Sequence, residues 1–166
     1  MIDPICTLVF EAETEEDDVM RRPPRPPAEP LFSWPLIIWS VLQGLLVFIL
    51  VGAIFIIASQ RGLPADEVRA LTFFSLVLSV GSLIFVNRSF STSLVTAIRR
   101  PNAMLAWIFA AVVAILALSL LLPVMRGLFN FGPLHLDDLS LTLGAAATVL
   151  IVLELAKTFW RDQLRL

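Results

Sequence analysis

Pro35-Leu-Ile-Ile-Trp-Ser-Val-Leu-Gln-Gly-Leu-Leu-Val-Phe-Ile-Leu-Val-Gly-Ala-Ile-Phe-Ile-Ile-Ala58 carries no charge, and Gln43 is its only strongly polar side chain. A helix needs about 20 mostly apolar residues to cross the hydrocarbon of a bilayer, and this run is long enough. Pro35 suits the first turn, where its missing N–H has no intrahelical role. Similar apolar runs follow at about 68–86, 103–122 and 139–156. Polar connections with helix breakers separate them: 59–67 with Gly62 and Pro64, 87–102 with Arg88, Arg99 and Arg100, and 123–138 with Pro123, Gly127, Gly132 and Pro133. The expected fold is an all-α membrane protein, a bundle of four transmembrane helices spanning residues 35–157. A half-helix (1–10) and an acidic, Pro-rich cytosolic linker (11–34) precede it, and a basic cytosolic tail (158–166) follows.

Composition agrees. The chain is 58% hydrophobic and 16% charged, against about 45–50% and about 25% in soluble domains. Of the 14 acids, Asp3, Glu11, Glu13, Glu15, Glu16, Asp17, Asp18 and Glu29 precede residue 30, so the N-terminal segment is acidic and water-facing. No strongly basic arm for nucleic acid exists. Cys6 is the only cysteine, which excludes an internal disulfide or a cysteine-cluster metal site. The first charge is Asp3, so the basic start of a secretory signal is missing and the first span must direct insertion.

Orientation follows from Lys and Arg. Arg21, Arg22, Arg25, Arg88, Arg99, Arg100, Lys157, Arg161 and Arg165 fall on one side, and Arg61, Arg69 and Arg126 on the other. The positive-inside rule puts both termini in the cytoplasm, with the inner (plasma) membrane as the expected location. Trp34, Trp39, Trp107 and Trp160 lie near expected span ends and read as interfacial anchors.

Polar groups within spans are the natural candidates for function, because burying them is costly. Ser75, Ser79 and Ser82 follow i, i+4, i+7 spacing and share a helix face. Such a stripe lets helices approach closely, or it lines an ion path with hydroxyl oxygens. Gly44, Gly52 and Gly144 read as close-packing positions. Glu154 is the only acid inside a span, and Lys157 three residues on can pair with it, giving a snorkelling, surface-paired carboxylate. His135 with Asp137 and Asp138 reads as a solvent-facing loop cluster. In Asp3-Pro4 the proline bars helical hydrogen bonding, leaving a carboxylate beside irregular backbone. Broken helices at membrane depth are where transporters coordinate cations.

The segment Ile2-Asp-Pro-Ile-Cys-Thr-Leu-Val-Phe-Glu-Ala-Glu13, continued by Glu16-Asp-Asp-Val-Met-Arg-Arg-Pro-Pro-Arg25, resembles a specific stretch of P-type cation-transporting ATPases. It looks like the end of their sixth transmembrane helix and the following cytosolic loop, closest to bacterial calcium-pump-like members. Asn87-Arg88-Ser89 and Glu154-Leu-Ala-Lys157 are similar to helix endings of that family. The resemblance implies that the chain is the C-terminal membrane domain of a pump, beginning within the sixth helix. Met1 is then expected to mark a truncated or split product.

By that resemblance Asp3 ligates the transported cation. Ser82 stands where reticulum-type calcium pumps carry a glutamate, which removes one hard oxygen charge and argues against a second calcium site. Ile2 replaces a hydroxyl ligand of some members. The family's D-K-T-G-T and T-G-E motifs are absent from these residues, so no ATP chemistry is expected on them, and ATP and Mg²⁺ would bind other domains. The implied function is ATP-driven cation transport, with calcium as the leading cation by the resemblance, carried out with those domains. The expected partners are the bilayer, the cation and the remaining ATPase domains or a partner membrane subunit, and not nucleic acid. A stand-alone four-helix structural or assembly subunit fits the same topology. A small antiporter fits less well, because it needs a buried acid near the middle of the first span.

Overall fold

A computed structural model of the chain describes Glu11 and residues 34–87 and 103–164. Among these residues there are five helices: α1 (Trp34–Gln60), α2 (Ala65–Asn87), α3 (Ala103–Leu121), α4 (Pro123–Phe129) and α5 (Leu136–Leu164). The half-helix 1–10, almost all of the linker and the arginines of 88–100 lie outside the described residues. By length and composition, α1, α2 and α5 can each cross a membrane. The fourth candidate is the pair α3 and α4, bent by 92° where they meet. The protein is therefore an all-α membrane protein.

Local chemistry explains each break. At the end of α1, the Leu63 N–H donates to the Ala58 carbonyl at 3.3 Å and the Gly62 N–H to that of Ser59 at 3.1 Å. This pair of bonds needs a left-handed residue between them, and Gly62 takes it with φ 72°. Pro64 follows, and Asp66 and Glu67 then sit in the first turn of α2, where the helix dipole favours negative charge. Pro123 breaks α3 from α4 because its ring cannot continue a helix from the preceding turn. The sequence reads 123–138 as a loop, but the structure folds 123–129 into α4. That helix closes by the same device as α1, with Asn130 left-handed at φ 51° and the Phe131 N–H donating to Arg126. The last helix also runs on past Ala156, to Leu164.

The core is built around α2. Trp39, Val47 and Val51 of α1 meet Val86 of α2 and Val149 and Leu153 of α5 near one end. Ile54 and Ala58 of α1 meet Val68 and Leu71 of α2 and Ala145 of α5 near the other. Ala70 and Phe74 pack with Leu116 of α3 and Phe131. Trp39 is thus a packed core residue, at 2% exposure, and not the interfacial anchor its position suggests, whereas Trp34 and Trp107 are exposed. The side chain of Trp160 is outside the described set. Phe48 and Trp107 are each 75% exposed, apolar surface that belongs in lipid. The α3 helix leans on α2 through Phe109, whose ring lies 4.8 Å from that of Phe85. A Cβ on Gly81 would stand 3.1 Å from the Phe109 ring.

The loop after α4 is pinned to the start of α2, because the Gly132 N–H donates to the Asp66 carbonyl at 3.0 Å. A Cβ on Gly132 would lie 2.7 Å from the Glu67 backbone nitrogen, which cannot yield as a side chain does. Gly132→Ala is expected to destabilise the bundle by about 1–3 kcal/mol. Gly44→Ala, which meets nothing within 4 Å, is expected to be tolerated. Thermal unfolding in detergent checks this, and a Gly132→Ala protein that melts with the wild type refutes the close approach.

Candidate functional site

The serines of α2 stand in its seam with α5. Ser75 and Ser79 are fully buried and Ser82 nearly so. The Ser82 hydroxyl lies 3.1 Å from the Leu78 carbonyl of its own helix and 3.0 Å from the Ala146 carbonyl of α5. One hydroxyl proton shared between two carbonyls bridges the two helices. The Ser75 and Ser79 hydroxyls have no hydrogen-bond partner among the described residues. Across the seam Thr142 is fully buried and donates back to Leu139 at 2.8 Å. This surface is small, so the helices come close, and it offers neutral oxygens with free lone pairs.

A second polar layer closes the bundle at the C-terminal end of α2. The Gln43 amide of α1 donates to Asn87 Oδ1 at 2.8 Å, and the Asn87 amide returns the bond to Gln43 Oε1 at 2.9 Å. From α5, Lys157 Nζ donates to the Val86 carbonyl at 3.1 Å and lies 3.8 Å from Glu154. The last carbonyls of a helix have no intrahelical donor and carry the negative end of its dipole. A lysine from the neighbouring helix answers both needs. Lys157 is only 6% exposed, so the Glu154–Lys157 pair forms as its spacing suggests but is not a surface pair. The lysine turns inward because the end of α2 offers a better partner than water at that depth.

Other sequence candidates fare differently. Asp3, with Ile2 and Pro4, lies outside the described residues. His135 and Asp138 do come together, with His135 Nδ1 3.6 Å from Asp138 Oδ2. The same carboxylate accepts the His135 backbone N–H at 3.0 Å, which is half of a capping box at the start of α5. Among the described residues no three His, Cys, Asp or Glu side chains gather to hold a metal. Sequence reasoning missed the Gln43–Asn87 pair and the inward turn of Lys157. The signal for the first was present: the only strongly polar side chain of one span and the terminal amide of the next, at the same depth on antiparallel helices.

A family model described as "Cation transporting ATPase, C-terminus" matches residues 1–159. None of the curated proteins compared with the chain matches it.

The paired amides lead to a double-mutant test. Gln43→Leu or Asn87→Leu alone leaves the other amide without its partner, while the double replacement removes both polar groups. The double variant is expected to lose less stability than the sum of the singles, with a coupling of about 0.6–2 kcal/mol. Unfolding titrations in mixed micelles read this directly, and strictly additive losses would show that the pair does not form.

Proposed function

The chain belongs to the family of C-terminal regions of cation-transporting ATPases, and from that footing we propose that it works in ATP-driven transport, with calcium as the leading cation. The observation that carries this is the family match over residues 1–159, which takes in Asp3 as well as the bundle. In this reading Asp3 supplies a carboxylate to the transported cation. A proline at position 4 has no N–H to give, the sequence feature of broken spans whose carbonyl oxygens join a cation in transporters. Hard cations of the calcium type are held by such oxygen sets. Ser82 contributes a neutral oxygen, with its proton already engaged by the Leu78 and Ala146 carbonyls.

The bundle α1–α2–α5 acts as a buttress. A cation site that changes affinity during transport needs a wall that does not deform with it, and the polar layer at the end of α2 ties three helices together at one level. Phosphoryl transfer from ATP with Mg²⁺ takes place on other domains, through an aspartyl phosphate. The excess of Lys and Arg on the side of the termini supports a cytoplasmic N- and C-terminus in the inner membrane.

The test is cation-stimulated ATP hydrolysis by the chain joined to its nucleotide-binding domains. Asp3→Asn is expected to raise the half-saturating cation concentration about tenfold or more, since each tenfold step is about 1.4 kcal/mol of lost ligation. Ser82→Ala is expected to change it far less, because a neutral hydroxyl holds a cation less strongly than a carboxylate. An Asp3→Asn pump with unchanged cation dependence would sink the ligand role. Hydrolysis that never responds to cations would favour a structural or assembly subunit.

A further inference from the structure

A groove of about 610 Å³ opens between the last turns of α1 and the first turns of α2, on the hairpin side of the bundle. Phe55, Phe73 and Leu76 wall it, and Ser59, Thr72 and Arg69 bring polar groups to it. On α2, Arg69, Thr72, Phe73 and Leu76 follow i, i+3, i+4, i+7 and so lie along one face. Phe55 is 50% exposed, and Phe73 and Leu76 are 41% exposed each, so the trough is open to whatever surrounds the protein. From Arg69 to Leu76 it runs about 10 Å along the helix axis. That distance reaches from the interface well into one leaflet's share of a hydrocarbon core about 30 Å thick.

Arg69 is held at the mouth. Its Nη1 donates to the Asn130 carbonyl at 2.9 Å, at the left-handed cap of α4. Among the described residues it has no carboxylate partner, so most of its N–H donors remain uncommitted. The nearest acids in sequence, Asp66 and Glu67, stand on the side of the loop after α4. Both lie against Gly132, where an added Cβ would meet Glu67 Cγ at 2.6 Å and Asp66 Oδ2 at 2.9 Å. Neither lines the groove. The charge at the mouth is thus positive and fixed in place, and the floor is apolar.

We propose that this groove binds one anionic phospholipid from the leaflet on the hairpin side. Its phosphate sits on the Arg69 guanidinium, whose donors suit phosphate oxygens, and the Ser59 hydroxyl adds a donor at the same level. An acyl chain lies along Phe55, Phe73 and Leu76. Free phosphate would have no use for the apolar wall, and an apolar helix laid there would leave the guanidinium unanswered. A phospholipid answers both, and the site is independent of which cation is carried.

The test uses the full chain in detergent and native mass spectrometry with equal amounts of dioleoyl phosphatidylglycerol and dioleoyl phosphatidylcholine. The wild type is expected to retain one phosphatidylglycerol in preference to phosphatidylcholine. Arg69→Gln is expected to reduce that retention about tenfold. Arg61→Gln, an exposed arginine of the hairpin outside the groove, is expected to keep it. Leu76→Trp fills the trough without touching the Arg69–Asn130 bond and is expected to lower retention of both lipids, which guards against misfolding of the Arg69 variant. No lipid preference in the wild type would overturn the proposal. So would equal retention by Arg69→Gln, equal loss in Arg61→Gln, or displacement of the lipid by inorganic phosphate.

Discussion

The carbonyls at the end of a helix must find donors, and within a membrane water is too scarce to supply them. At the C-terminal end of α2 the donor is Lys157, reaching from α5 to the Val86 carbonyl. Beside it Gln43 of α1 exchanges two hydrogen bonds with Asn87. These contacts fix the depth of α1 and α5 relative to α2. The rest of the packing keeps that register: Val86 meets Val149 and Leu153 beside the layer, and the Ser82–Ala146 contact falls about one turn away. In lipid, association of helices gains nothing from water exclusion, so close fit and a few polar bonds must decide which faces meet. The small residues of the α2–α5 seam provide the fit, and the layer at its end provides the bonds.

The same constraint explains what could be read in the sequence. The spans were legible because charge is absent from them, and the α1–α2 hairpin because Gly62 and Pro64 announce it. The helix α4 was hidden by Pro123, which reads as a stop. In the structure it both ends α3 and starts a new helix at an angle of 92°. Along its own helix Lys157 has Glu154 as the obvious partner, although the decisive partner lies 71 residues away in sequence. Trp39 has the position of an interfacial anchor and the environment of a core residue, a difference set by α5 closing over it. Asp3 was legible weakly through the proline that follows it and more sharply through its resemblance to a known helix ending, and it lies outside the described residues.

Membership of the family of cation-transporting ATPase C-terminal regions is the footing for the buttress role proposed for this architecture. A trio of helices tied at one level is suited to hold still while neighbouring helices move. The broken pair α3–α4 packs on the trio through Phe109 and Leu116, with Phe131 of the loop that follows it, and leaves much apolar surface to lipid. The most direct measurement is ATP-driven cation uptake into sealed vesicles carrying the chain joined to its nucleotide-binding domains, compared with the same pump lacking residues 34–166. The account predicts uptake with the bundle and none without it, while the isolated nucleotide-binding domains still bind ATP. Undiminished uptake without the bundle would contradict it.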